Sequence, residues 1–126
     1  MATRVFLSLS ALVWLPYGIF CFFQPGFLEG AAGVVALSPT GSTELRAMYG
    51  GLQAALGVAA LLGVARPSFA PQVLKMLAWV CGGLGSSRLI GAALEDGWSA
   101  YTGFALGFEF VSLAVCIWLL RRPVEG

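Results

Sequence analysis

The stretch E-L-R-A-M-Y-G-G-L-Q-A-A-L-G-V-A-A-L-L-G-V, residues Glu44–Val64, is almost wholly apolar after its first turns. At 1.5 Å rise per residue, about 20 helical residues cross the roughly 30 Å hydrocarbon core of a bilayer. Similar runs occupy Val5–Phe23, Val73–Leu94 and Tyr101–Leu120. All four are continuous, whereas a membrane β-barrel shows dyad alternation. The sequence therefore predicts an all-α membrane protein, a four-transmembrane-helix bundle forming a single domain over residues 1–126.

The composition excludes several classes of protein. Of 126 residues, 59% are hydrophobic and 10% are charged, against about 25% charged residues in soluble domains. The net charge of +1 provides no basic face for nucleic acid. The chain has no histidine, which rules out His-ligated haem, His-based di-iron sites and His-dependent acid/base catalysis. Cys21, Cys81 and Cys116 lie in three different apolar runs without a C-x-x-C motif, so we expect neither a metal nor a cofactor.

The distribution of charged residues predicts the topology. The basic residues of the N-terminus, the second connection and the C-terminus are Arg4, Arg66, Lys75, Arg121 and Arg122. The first and third connections carry the acidic residues Glu29, Glu95 and Asp96. Because cytoplasmic loops are enriched in Lys and Arg, we expect a multi-pass protein of the cell inner membrane with both termini in the cytoplasm. The first run is long and lacks a convincing cleavage site, so we expect it to be retained as a helix.

The connections differ in length. The apolar first connection, Gln24–Thr43, predicts a short interfacial or re-entrant segment. Ser42 or Thr43 is expected to cap the second transmembrane helix, with Glu44 in its first turn. The short connections R-P-S-F-A-P-Q and E-D-G-W-S make the second, third and fourth transmembrane helices antiparallel neighbours.

Small residues recur at steps of four in three of the runs. Each run has one stripe that is predicted to pack against another helix. The second run has Ala47, Gly51, Ala55, Ala59 and Gly63, the third has Gly83, Ser87 and Gly91, and the fourth has Gly103 and Gly107. Apolar helices associate in lipid chiefly through close approach at small residues. The stripes predict either packing within one monomer or contact between two copies in a homodimer.

Two charged residues lie deep within the apolar runs. Arg88 is about six residues, and Glu109 about eight, from the outer ends of their runs, hence roughly 9 to 12 Å below the outer surface. Charges at such depth are costly unless they are paired or hydrated, and they often mark functional sites. The two runs are joined by a short turn, so we predict an Arg88–Glu109 ion pair, a contact that suits the planar guanidinium.

Further polar side chains are expected at the same level. Arg46, Tyr49 and Gln53 share one face of the second run at steps of three and four. Tyr17 of the first run can reach a similar depth. With Arg88 and Glu109, these residues would line a small polar cavity in the outer half of the membrane, suited to an anionic or amphipathic ligand. The alternative is a purely structural layer in which the charged groups satisfy one another and fix the helix register.

The segment Glu44–Gly57 resembles an uncharacterised family of small bacterial four-helix membrane proteins, a domain of unknown function. That family has a Glu-x-Arg-Ala-x-Tyr-Gly-Gly signature at the start of its second helix. The matching residues here are Glu44, Arg46, Ala47, Tyr49, Gly50 and Gly51, followed by Arg88 with Gly91 and then Glu109. The resemblance implies a four-helix topology and no settled activity.

We therefore expect a protein that binds a hydrophobic or lipid-like ligand in a non-catalytic or accessory role, with membrane lipids as its partners. The alternative function is that of a structural subunit of a larger membrane complex. Two further alternatives use Glu109, one as the acid/base of an enzyme acting on a lipid-soluble substrate and one as the proton carrier of a small transporter. The enzyme lacks an evident second carboxylate, and small drug exporters typically place their essential carboxylate in the first helix.

Overall fold

The computed structural model describes residues 1–122, which contain helices and connections but no strands. Its α-helices are α1 (Ala2–Phe23), α2 (Phe27–Ala32), α3 (Pro39–Leu45), α4 (Leu52–Ala65), α5 (Ala70–Leu94) and α6 (Ala100–Arg121). A π-helical turn at Arg46–Gly51 joins α3 to α4, and a 3₁₀ turn at Pro67–Phe69 precedes α5.

Four helical segments are long and apolar enough to cross a membrane, which indicates a multi-pass membrane protein. They span Ala2–Phe23, Pro39–Ala65, Pro67–Leu94 and Ala100–Arg121. The chain forms two compact units, Met1–Ala70 and Pro71–Gly126. Each unit contains two of the four apolar runs.

The first connection is more ordered than an open loop. Helix α2 ends at Gly33, which has φ +69°, a left-handed conformation that costs glycine little. The Gly33 N–H donates to the carbonyl of Glu29, and the Val34 N–H donates to that of Leu28 over 3.1 Å. The bond from Gly33 to Glu29 is that of the αL motif, in which the N–H of a left-handed residue satisfies one of the last carbonyls of a helix. The short helix lies where the sequence predicts an interfacial segment.

The second long apolar segment begins earlier than the sequence predicted. Ser38, not Ser42 or Thr43, is its N-cap, and its side-chain oxygen accepts a 3.0 Å hydrogen bond from the Gly41 N–H. Pro39 follows in the first turn, where a missing N–H costs nothing and the fixed φ suits a helix. Glu44 therefore lies in the second turn and is exposed.

In the first unit, α1 packs through glycines against α4 and the π turn that precedes it. A Cβ added to Gly50 would lie 2.8 Å from the Phe22 Cβ, and one added to Gly57 would lie 2.5 Å from the Leu15 Cβ. Gly18 meets the backbone of Gly50 and Ala54 in the same way. Later residues of α1 contact earlier residues of the second segment, and the small residues allow this close approach.

The close contacts use other positions than the predicted stripe. Ala47, Gly51 and Ala55 are exposed, Ala59 is half-buried and Gly63 is buried. Four residues turn an α-helix through about 400°, so a stripe at steps of four drifts by about 40° per step and winds off one face. In the second unit, Gly82 and Gly85 approach Leu113 and Phe110. Ser87 is exposed, and within residues 1–122 no atom lies within 4 Å of a Cβ built on Gly83, Gly91, Gly103 or Gly107.

Candidate functional site: a buried ion pair in the second unit

Arg88 of α5 and Glu109 of α6 form an ion pair. The Arg88 Nη2 lies 2.7 Å from the Glu109 Oε1, and the Arg88 Nε lies 3.1 Å from Oε2 and 3.2 Å from Oε1. The guanidinium therefore donates from two nitrogens, and both carboxylate oxygens accept. This fork geometry is the strong form of an arginine–carboxylate contact, and the sequence had predicted these two partners.

The helices position the pair well inside two apolar segments. Arg88 lies six residues before the end of α5 at Leu94, and Glu109 lies nine residues after the start of α6 at Ala100. At 1.5 Å per residue these separations are about 9 Å and about 13.5 Å. The α6 start is fixed by Ser99, whose side chain accepts a 3.1 Å hydrogen bond from the Thr102 N–H.

The two partners differ in exposure. The Glu109 side chain is 4% exposed, whereas that of Arg88 is 28% exposed. The ring of Tyr101 lies to one side, with its centroid 5.8 Å from the Arg88 Cζ, within the range of a cation–π contact. A molecule approaching this pair would therefore meet the guanidinium, while the carboxylate stays enclosed.

Small polar groups continue along the buried face of α6. Ser112 and Cys116 are buried, at three and seven residues after Glu109. The Ser112 hydroxyl lies within hydrogen-bonding reach of the Cys81 thiol of α5. Packing beside them is tight, because a Cβ on Gly85 would lie 3.2 Å from the Phe110 ring. Among residues 1–122, no three His, Cys, Asp or Glu side chains are arranged to hold a metal ion.

Arg46 has a local structural role in the first unit. Its Nη1 donates a hydrogen bond to the carbonyl of Phe22, and its Cζ lies 5.7 Å from the Phe22 ring centroid. Phe22 lies in the last turn of α1, where the carbonyls lack helical partners and carry the negative end of the helix dipole. Arg46 therefore caps α1, a role that the sequence interpretation missed.

The other predicted site residues of this unit lie near the same helices. Tyr17, Tyr49 and Gln53 are half-buried. Tyr17 lies one turn before Cys21 on α1, and its side chain is hydrogen-bonded with that thiol. Their membership of one polar layer with Arg88 and Glu109 stays a prediction.

Two features of the first unit gave little sequence signal. One is the π turn at Arg46–Gly51, where the Leu52 N–H donates to the carbonyl of Ala47, five residues earlier. Consecutive glycines at its end were the available hint. The other is a cavity in the first connection, lined by residues 25–45. It was missed because it depends on how this connection folds back, which no sequence pattern indicated.

Comparison with known proteins places the chain by sequence. A family described as Domain of unknown function (DUF4345) matches residues 2–120. No curated protein and no solved structure matches the chain.

Proposed function

Because this chain belongs to the DUF4345 family, whose description assigns no activity, we propose its function from the chemistry of the Arg88–Glu109 pair. The protein is an integral membrane protein that binds a lipid-like amphipathic ligand in a non-catalytic or accessory role. The Arg88 guanidinium contacts oxygen atoms of the ligand's polar end, and the surrounding apolar side chains contact its hydrophobic part.

The proposal includes the arrangement in the membrane. Four antiparallel spans cross the inner membrane, with both termini in the cytoplasm and the Arg88 level in the outer half. The support is the charge distribution, since Arg4, Arg66 and Lys75 mark the same side and Glu95 and Asp96 mark the other.

The observation that carries the ligand proposal is the unequal exposure of the two partners. A partner that contacts a buried charge compensates for lost solvation, and a charged group that stays partly exposed keeps room for a further contact. Here the carboxylate is 4% exposed and the guanidinium 28% exposed. Arginine is also well suited to bind phosphate and carboxylate groups. A lipid headgroup at this depth would reach Arg88 without displacing Glu109.

A structural subunit is the second candidate, and a different observation favours it. Gly83, Ser87, Gly103 and Gly107 are exposed on α5 and α6. Small residues of this kind allow close approach of a helix from another chain. In this alternative the ion pair fixes the register of α5 and α6, and the small residues contact a partner subunit.

The test compares two double variants by native mass spectrometry from mild detergent. Arg88→Met with Glu109→Leu removes the pair without leaving an uncompensated charge. Arg66→Met with Glu95→Leu makes the same chemical change at two exposed residues and is the matched control.

We expect wild type and control to retain a co-purifying lipid that the Arg88/Glu109 variant loses while staying folded. A wild-type protein without bound lipid would contradict the proposal. Co-purification with another protein, retained in both double variants, would favour the structural subunit.

A further inference from the structure

The first connection forms an open-sided cavity that is remote in sequence from Arg88 and Glu109. Its volume is about 370 Å³, and its lining comes entirely from residues 25–45 of the first unit. Ligand sites commonly measure about 300 to 1,000 Å³, so this cavity has room for a small ligand. It is bounded by the start of α2, the chain that follows Gly33, and the first turns of α3.

The charge of the cavity is negative. Glu29 is the only charged residue in its lining. It is exposed, and within residues 1–122 no hydrogen bond or ion pair of its carboxylate is found. The nearest arginine in sequence, Arg46, donates instead to the carbonyl of Phe22. Ser42 adds a hydroxyl to the lining. Ser38 also lines the cavity, and its hydroxyl oxygen already accepts from the Gly41 N–H. The Glu29 carboxylate therefore supplies the charged acceptor for an occupant, beside two hydroxyls that can accept or donate.

The remaining wall is apolar. Pro25, Val34, Val35, Ala36 and Leu45 contribute most of it. Such a wall suits methyl or methylene groups, whose transfer from water is favourable by about 0.8 kcal/mol per buried CH₂. A compact cation with attached carbon atoms satisfies the carboxylate and the apolar wall together, whereas a bare metal ion would leave the wall unused.

The position of the cavity relates it to the membrane surface. It lies between two apolar segments, Ala2–Phe23 and Pro39–Ala65, at the point where the chain turns back. Leu37, beside the cavity, is 94% exposed, and Phe23 and Phe27 are also exposed. Exposed apolar side chains next to a membrane span favour the interfacial region of the bilayer. Ammonium groups of lipid headgroups are found there.

We propose that this cavity binds a small organic ammonium group, with Glu29 as the counter-ion and the apolar wall around its carbon substituents. The group is supplied either by a lipid headgroup or by a free amine in the adjacent aqueous phase. This site is independent of the proposed ligand contact at Arg88, and either one stands if the other fails.

The test follows backbone amide NMR signals of Gly26, Ala36 and Ser42 in maltoside micelles at low salt. The soluble probe is choline, and its control is the neutral carbon isostere 3,3-dimethyl-1-butanol. The lipid probe is phosphatidylethanolamine in nanodiscs, compared with phosphatidylglycerol bearing the same acyl chains. Glu29→Gln removes the counter-ion, and Glu44→Gln, an exposed glutamate outside the lining, is the matched control.

We expect wild type and Glu44→Gln to respond to at least one ammonium probe, and Glu29→Gln to bind it at least about tenfold more weakly. A response to choline identifies the free amine as a source, and a response to phosphatidylethanolamine alone identifies the headgroup. Val35→Phe, at a half-exposed residue of the lining, fills the cavity while keeping Glu29 and should also abolish the response.

Three results would overturn the proposal. One is the absence of any response to either ammonium probe. Another is an equal response to choline and its neutral isostere. The third is unchanged binding in folded Glu29→Gln or, should that variant not fold, in Val35→Phe.

Discussion

The Gly57→Ala substitution tests the packing of α1 against α4. The added Cβ would lie 2.5 Å from both the Cβ and the N of Leu15 and 2.7 Å from its Cα. Carbon atoms pack best at about 3.5 to 4.0 Å, so the helices must separate locally by about 1 Å. Two of the three atoms are backbone, so a change of rotamer cannot relieve the contact. Overpacking of this kind costs about 1 to 3 kcal/mol, and we expect the upper part of that range.

The assay is equilibrium unfolding in mixed micelles, with far-UV circular dichroism as the measure of helix content. Gly83→Ala is the matched control, since it adds the same methyl group inside a helix where no atom lies within 4 Å of the new Cβ. We expect the control to match or slightly exceed wild type, because alanine is favoured over glycine in helices by about 1 kcal/mol. Equal stability of the two variants would refute the proposed close contact.

Three further substitutions test individual side chains in the same unfolding assay. Arg88→Met alone should lower the free energy of unfolding by about 3 to 5 kcal/mol, because it leaves Glu109 buried without its partner, and adding Glu109→Leu should restore most of that loss. Ser38→Ala should cost about 1 kcal/mol through the lost cap of α3, and an unchanged midpoint would contradict that role. Arg46→Met should shift the ¹³C resonance of the Phe22 carbonyl and cost about 0.3 to 1 kcal/mol at the end of α1, whereas an unshifted resonance would exclude the contact.

The apolar runs were sufficient to predict the four long helices, because membrane thickness sets a minimum length that few other sequences reach. Their ends were less predictable. The second segment begins at Pro39, although its apolar run begins only at Glu44. The residues that decide this start are Ser38 and Pro39, which lie before the apolar run, in the polar end of the first connection, but fit a capped first turn.

Packing faces were harder to predict than helices. Gly18, Gly50 and Gly57 make the close contacts of α1 with α4 and with the π turn that precedes it. The stripe predicted at steps of four from Ala47 uses other positions. To choose between neighbouring stripes, one must know which face of the helix contacts another helix. A glycine-rich sequence does not decide this, because several of its faces carry small residues. The π turn at Arg46–Gly51 also changes the angular relation of residues before and after it.

The Arg88–Glu109 contact could be predicted because a charged side chain inside an apolar run is stable in few environments, chiefly beside an opposite charge or water. A short turn between two helices then limits the choice of partner. The role of Arg46 could not be found this way. Its acceptor is the backbone carbonyl of Phe22, twenty-four residues away, and every residue of α1 offers the same chemical group.

The most direct measurement of the central claim is the Nε–Hε signal of Arg88 in selectively labelled protein, assigned with Arg88→Lys. In nanodiscs, the account predicts that this signal moves when phospholipid replaces a neutral glycolipid with the same acyl chains. The signal of exposed Arg66 provides the reference for a general surface effect. An Arg88 signal that is indifferent to the lipid headgroup would contradict ligand binding at the guanidinium and leave the ion pair with a structural role only.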